Sequence, residues 1–98
     1  MKARARPTKE AAETLAVQAL AFIAEDTERM SGFLVATGIG PDQIRNAARA
    51  SGFLAGVLDH MLGDESLLIA FADSAAIDPS EVARARSALG GRWERDIP

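Results

Sequence analysis

The stretch SGFLAGVLDHMLGDESLLIAFA, residues 51–72, is the most continuous apolar segment of the chain, and it decides the predicted fold. In its first half, apolar residues recur in adjacent pairs every four positions, which places them on one face of an α-helix. Ser51 is suited to cap this helix and Gly63 to end it. The apolar pairs are Phe53 and Leu54, Val57 and Leu58, and Met61 and Leu62.

A second helix is predicted to follow at once. Asp64 stands at its N-cap, and Glu65 lies in the first turn, where the positive end of a helix favours an acid. From Leu67 to Ala72 this helix is apolar nearly all the way round, so we expect its neighbours to wrap it. The joint is too short for anything but a sharp turn. The two helices therefore form a corner at the centre of the core.

Two helices are predicted before this corner. Thr8 is suited to cap the first, which runs to about Glu25 with a broad apolar stripe. A polar interruption over residues 25–28 separates it from a shorter helical segment that starts near Met30. Gly38 should end that segment, because glycine readily takes the left-handed conformation found at helix C-termini.

Two further helices begin at prolines. Pro41 and Pro79 suit the first helical position, because the amide proton that proline lacks would have no partner there. The helix from Pro41 is expected to reach about residue 50, and the one from Pro79 takes Asp78 as its N-cap and stops at residues 90–91. The first of these helices is expected to bury Ile44, Ala47 and Ala48.

The two proline-started helices belong to a weak internal repeat with a constant offset of 38 residues. Because a solenoid needs about three repeats, two copies favour a single bundle. We therefore predict an all-α fold, a compact bundle of five to six short helices organised as two pseudo-repeated helical hairpins. Phe33, Ile39, Pro41, Ile44 and Ala47 match Phe71, Ile77, Pro79, Val82 and Ala85.

Length and composition limit the classes of protein further. The 98 residues predict a basic, disordered arm over residues 1–7, one helical domain over 8–91 and a tail over 92–98. The chain has no cysteine, which excludes a disulfide scaffold and any thiolate metal or redox site. Its net charge of −3 gives no broad electrostatic footprint for nucleic acid or an anionic membrane.

The chain is expected to be soluble and cytoplasmic. The apolar run from Leu15 to Ala24 is about half as long as a membrane-spanning helix. Glu10 and Glu13 separate this run from the basic residues before it, which a secretory signal does not allow.

LVATGIGPDQIRNAA, residues 34–48, resembles the helix-hairpin-helix motif of DNA-binding and repair proteins. The resemblance implies that the Gly-x-Gly turn presents backbone amides to a phosphate, and free amides at a helix N-terminus do bind anions. Asp42 opposes this interpretation, and the second copy has an aspartate, Asp78, in its turn. The alternative is a capped turn without a ligand. The candidate phosphate contacts are Gly38, Ile39, Gly40 and Arg45.

His60 is the single histidine of the chain. Asp64 lies four residues further on, a spacing that can place two metal ligands on one helical face. Gly63 is expected to interrupt the helix between them, so we interpret His60 as a partly exposed histidine near a helix C-terminus. No metal site and no cofactor are predicted.

Trp93 lies beyond the last predicted helix, flanked by Arg92, Glu94 and Arg95. It could fold back on the bundle or remain available to a partner. Tryptophan and arginine are typical anchors of protein interfaces. Trp93, Arg92 and Arg95 are therefore candidate partner contacts.

The sequence as a whole resembles a family of small, all-helical bacterial proteins classed as a domain of unknown function. The resemblance runs from about Glu10 to Gly90, and LDHMLGDESLLIAFA is its most specific part. It implies a cytoplasmic helical protein and supplies no activity or ligand.

The leading hypothesis is a non-enzymatic helical module that docks a partner protein or a second copy of itself. No group of residues has the composition of a catalytic site. The apolar fraction of 48% in so small a chain favours some exposed apolar surface. Nucleic-acid binding through the Gly38 to Gly40 turn is the alternative.

Overall fold

The computed structural model describes residues 7–50 and 52–90, and this part of the chain is helical without any strand. A short 3-10 turn, Pro41–Gln43, precedes α3. No helix among the described residues is long and apolar enough to cross a membrane. The predicted all-α bundle of five to six helices is confirmed. The helices are α1 (Lys9–Ala24), α2 (Thr27–Thr37), α3 (Ile44–Ala48), α4 (Phe53–Leu62), α5 (Glu65–Ala75) and α6 (Ser80–Ala88).

The core lies where α1, α4 and α6 pack against one another. The small side chains that α1 turns inward let neighbouring helices approach closely, since interaxial distance depends on the side chains at the contact. All four phenylalanines are buried. The fully buried centre consists of Ala12, Ala16, Ala19 and Ile23 of α1, Val57, Leu58 and Met61 of α4, and Val82 of α6.

Helix α5 lies at the edge of this core, and the prediction that its neighbours wrap it is wrong. It packs mainly against α4 and buries Leu67, Phe71 and Ala72, whereas Ile69 is 52% exposed. A helix with one main neighbour has one covered side, so apolar residues that extend nearly all the way round it leave part of their surface in water.

Helix α2 begins earlier than predicted. Asp26 caps it and accepts hydrogen bonds from the backbone N–H groups of Glu28 (2.8 Å) and Arg29 (3.1 Å). The polar residues 25–28 are therefore a cap and a first helical turn, not an interruption. Thr8 and Asp64 cap α1 and α5 as predicted.

The segment after Pro41 is less regular and less buried than predicted. It starts as a 3-10 turn and continues as five α-helical residues. Ile44 and Ala47 are half-buried and Ala48 is exposed, so the expected burial is wrong for Ala48 and incomplete for the others. Helix α4 begins at Phe53 after Gly52 in the left-handed conformation, not after a serine cap, and Ser51 lies outside the described residues.

The internal repeat is longer in the structure than in the sequence pattern. At the same offset of 38 residues, α2 and α5 each have eleven residues, follow an aspartate N-cap and end at a left-handed residue. The caps are Asp26 and Asp64, and the left-handed residues are Gly38 and Ala76. We define the first unit as α1 to α3 and the second unit as α4 to α6.

The two units exchange two aromatic contacts, which correspond to each other at the offset of 38 residues. Phe22 of the first unit lies 5.6 Å from Phe71 of the second, measured between ring centroids. His60, the counterpart of Phe22, meets Phe33, the counterpart of Phe71, edge-on at 5.3 Å. Each unit thus supplies one ring to the other, in the manner of an isologous interface.

Candidate functional site

Helix α2 is the least buried of the long helices and carries the most exposed large apolar residue among the described residues. Of its eleven residues, all within the described part of the chain, Phe33 alone is buried, and Val35 is 82% exposed. The N-terminal half is anchored to α1, because the Arg29 guanidinium stacks 4.0 Å from the Phe22 ring and donates to the Phe22 carbonyl at 3.3 Å. The C-terminal half extends beyond this anchor and carries Val35 into solvent.

A groove lies beside this exposed half. It has a volume of about 400 Å³ and is formed by α2 together with the turn that leads to Pro41. None of these residues is charged, although the chain as a whole is 26% charged. We call this surface the α2 groove, lined by Ser31, Leu34, Val35, Gly38, Ile39, Gly40 and Pro41.

Backbone geometry shapes the groove. Gly38 takes a left-handed conformation with φ of 76° and ends α2 by donating its N–H to the Leu34 carbonyl at 2.9 Å. A β-carbon there would meet no atom within 4 Å, so the requirement for glycine is conformational and not steric. The turn then brings Ile39 and Pro41 back alongside Leu34.

Three of the four candidate phosphate contacts line this groove, but their arrangement does not resemble an anion site. The Gly38 N–H is already bonded within the helix cap. The Asp42 carboxylate lies 3.1 Å from the position that a β-carbon on Gly40 would occupy, so negative charge stands beside the turn. Arg45 is exposed on α3 and is not among the lining residues. Phosphate binding by this turn remains a prediction.

His60, a candidate within the described residues, is not among the residues that line this groove. His60 is half-buried, with its ring against Phe33. Within residues 7–50 and 52–90, no group of three or more acidic, histidine or cysteine side chains could hold a metal ion. Trp93, Arg92 and Arg95 lie outside the described residues, so their role as partner contacts remains a prediction.

The corresponding turn of the second unit has a different environment. Ala76 and Ile77 border a cavity of about 460 Å³ that is also lined by Pro7, Ala11 and Leu15 at the start of α1. Asp78 and Glu81 stand in the same lining. The counterpart of Val35 in the second unit is Asp73, so the two units differ where the first exposes its valine.

Sequence patterns did not reveal this site. Met30, Phe33, Leu34 and Thr37 recur at helical spacing in α2, and Val35 lies off this stripe. The signal that could have found it is Val35, an aliphatic residue on the solvent side of a short helix. The equivalent position in the second unit is an aspartate, Asp73. That contrast becomes visible once the repeat is extended back through α2 and α5.

The fold and the groove define a class of protein, an all-helical domain of two pseudo-repeated three-helix units with an uncharged surface groove on the first. The chain belongs to the family described as protein of unknown function (DUF3572), whose model matches residues 9–92. No curated protein and no solved structure matches the chain.

Proposed function

We propose that the chain is a non-enzymatic, cytoplasmic interaction module that binds a protein through the α2 groove. The observation that carries the proposal is Val35, which is 82% exposed at the rim of an uncharged apolar groove. Keeping a valine in water forgoes roughly 1.5–3 kcal/mol of burial free energy. A bound protein would recover much of that free energy.

The groove is the expected centre of a larger contact. Stable protein interfaces bury about 1,200–2,000 Å² in total, and a few residues in a desolvated centre carry most of the energy. In the proposed complex, Val35 and the half-buried Leu34 and Ile39 would form this centre. Hydrophilic residues of α2 and α3 would then form the rim.

Site-specific photo-crosslinking in the native cells tests this proposal. A benzophenone amino acid replaces Val35 in one strain, and Val17 or Ile69 in two control strains. These controls are matched, because both residues are aliphatic, about half-exposed and on helices outside the groove, at 53% and 52%. We expect a defined protein adduct from position 35 that neither control forms. Equal adduct patterns from all three positions would contradict the proposal.

The nucleic-acid alternative makes a different prediction. It requires an affinity for a labelled DNA or RNA duplex that falls steeply with salt and that weakens when Arg4, Arg6 and Arg45 are replaced. The described residues carry twelve acidic and six basic side chains, which disfavours a polyanion at the folded body. Salt-sensitive binding that Val35→Asp leaves unchanged would favour this alternative.

A further inference from the structure

We infer that residues 1–6 of the basic arm dock on the cavity beside the turn of the second unit, where Arg4 and Arg6 pair with Asp78 and Glu81. This cavity is separate from the α2 groove, so the inference goes beyond the proposed function and can fail or hold independently of it. The six residues precede the described part of the chain. Docking would order a segment for which the sequence alone predicts disorder.

The described chain begins at this cavity. Pro7, its first residue, is half-buried and lines the cavity, whose volume is about 460 Å³. An extended chain spans roughly 3.3–3.6 Å per residue, so Arg6 is one residue from the lining and Arg4 lies within about 10 Å of Pro7. Both guanidinium groups can therefore reach the lining without any change in the fold.

The arm and the cavity have complementary charge. Residues 1–6 contain three basic side chains and no acidic one. The cavity lining contains the carboxylates of Asp78 and Glu81 and no basic side chain. Both acids lie at the start of α6, where the end of a helix is equivalent to only about half a positive charge. The two carboxylates outweigh that charge, so the cavity attracts cations.

The sequence of the arm fits this site. Basic residues alternate with alanine over residues 2–6, KARAR, and side chains two positions apart lie on one face of an extended chain. Pro7 favours an extended Arg6, because proline disfavours the helical conformation of the residue before it. Thr8 is extended as well, with φ of −68° and ψ of 162°. The basic side chains thus share one face, and the apolar part of the lining can contact their aliphatic stems.

Docking of the arm has a consequence for the nucleic-acid alternative, which uses Arg4 and Arg6. In the docked arm these guanidinium groups face carboxylates of the same chain. Contact with an external phosphate then requires the arm to leave the cavity.

A double-mutant cycle measures the pairing in the full chain. Arg4→Gln together with Arg6→Gln removes arginine charge from the arm, and Glu81→Gln removes one carboxylate from the cavity. We expect the arm variant to raise the unfolding equilibrium constant about threefold, as for partly exposed ion pairs. This factor should shrink in the Glu81→Gln background and with added salt. Urea denaturation followed by circular dichroism measures each constant.

Glu10→Gln is the matched control for this cycle. Glu10 is an exposed acid at the start of α1 and does not line the cavity, so the arm variant should have its full effect in that background. An arm effect of the same size in the Glu81→Gln and Glu10→Gln backgrounds would overturn the inference. The arm would then be attracted to the acidic body in general and not to this cavity.

Disulfide formation gives a second measurement, because the chain has no cysteine. Ala5→Cys with Ala76→Cys places one thiol on the arm and one in the cavity lining. Ala5→Cys with Glu13→Cys is the control, since position 13 is closer in sequence but lines a different pocket. We expect the first pair to close roughly threefold faster at low salt and to lose this excess at high salt, because screening weakens ion pairs. Equal rates, or an excess that salt leaves unchanged, would contradict docking by charge.

Discussion

The third helices of the two units begin with the same sequence pattern and end in different environments. Helix α6 packs between α1 and α4, and Val82 and Ala85 are 0% and 1% exposed. Helix α3 packs mainly against α4, and none of its residues is buried. An aliphatic residue, a proline and two further apolar positions therefore specify a turn and a helix start, but they do not specify burial.

The difference originates at the N-terminus of α1. In the register of the repeat, the start of α4 at Phe53 corresponds to Leu15, yet α1 begins six residues earlier at Lys9. Ala11 and Leu15 of this longer helix lie beside Ala85 and the second-unit turn. The shorter α4 gives α3 no such cover. The second and third helices of the first unit bury one residue, Phe33, whereas those of the second unit bury five.

The largest expected effects test the aromatic contacts, which the two units have in common. Phe33→Ala and Phe71→Ala should each lower the free energy of unfolding by about 3–5 kcal/mol, because both rings are buried and each accepts an aromatic side chain from the other unit. Urea denaturation followed by circular dichroism measures this. Val17→Ala, at a half-exposed position, is the control and should change stability by less than about 0.5 kcal/mol. A loss of unfolding free energy near the control value for either phenylalanine would contradict the equivalence of the two aromatic contacts.

The next largest expected effect tests the difference in burial between α6 and α3. Val82→Ala should cost about 2 kcal/mol, from two buried methyl groups plus the cavity they leave. Ile44→Ala removes more atoms, yet it should cost only about 1 kcal/mol, because Ile44 is half-buried and water can fill its place. Denaturation at low protein concentration keeps self-association from contributing. The opposite order of costs would mean that α3 is held as firmly as α6.

These contrasts also show how much of the molecule the sequence predicts. Helix caps act within a few residues, so Thr8 and Asp64 were recognisable. The prediction for α6 is wrong by one residue, because the helix begins at Ser80 after Pro79 at the N-cap, although the Asp78 carboxylate accepts from the Ser80 N–H at 2.9 Å. Burial depends on which helices pack together, and the sequences of α5 and α3 alone do not specify their neighbours. Helix α5, which is apolar nearly all the way round from Leu67 to Ala72, therefore exposes Ile69, and Ile44 and Ala47 of α3 are only half-buried.

The site was harder to predict than the fold. Gly38, Ile39 and Gly40 were singled out for a phosphate, and they do lie together in the groove wall. Their neighbours change the chemistry: the groove also contains Leu34 and Val35, and Asp42 stands beside the turn. A local motif identifies the shape of a turn, while the residues brought next to it by packing decide what it can bind.

Backbone conformation at the two equivalent turns, at Gly38 and Ala76, predicts smaller changes in stability, which have opposite signs at the two positions. Gly38→Ala should destabilise by about 1 kcal/mol, because an L-residue pays that much for the left-handed conformation while its β-carbon meets nothing. Ala76 already occupies this conformation, with φ of 59°, so Ala76→Gly should stabilise by up to about 1 kcal/mol.

Gly32→Ala is the matched control for this pair. Gly32 lies within α2, has space for a β-carbon and has no positive φ, so alanine there should stabilise the helix by up to about 1 kcal/mol. Thermal unfolding of the three variants measures all the shifts. Destabilisation by Gly32→Ala as large as by Gly38→Ala would show that the loss of a glycine in α2, and not the left-handed turn, is responsible.

The smallest expected effect concerns an ion pair present only in the second unit. Arg86 of α6 donates through Nε to Oδ1 of Asp59 on α4 at 2.6 Å, while Ala48 and Ala21 occupy the corresponding positions of the first unit. The Asp59 side chain is 48% exposed, so solvent screens the pair, and a double-mutant cycle of Asp59→Ala and Arg86→Ala should give a coupling below about 1 kcal/mol. The coupling should shrink further as salt is added.

Arg86→Ala alone should lower the free energy of unfolding by more than this coupling energy. The guanidinium also donates to the Gly90 carbonyl, and the Arg86 side chain, including its aliphatic part, is only 11% exposed. A coupling well above 1 kcal/mol, or one indifferent to salt, would make the ion pair a principal reason why α6 is fixed and α3 is not. A small, salt-sensitive coupling would instead attribute the greater burial of α6 to its contacts with the longer α1.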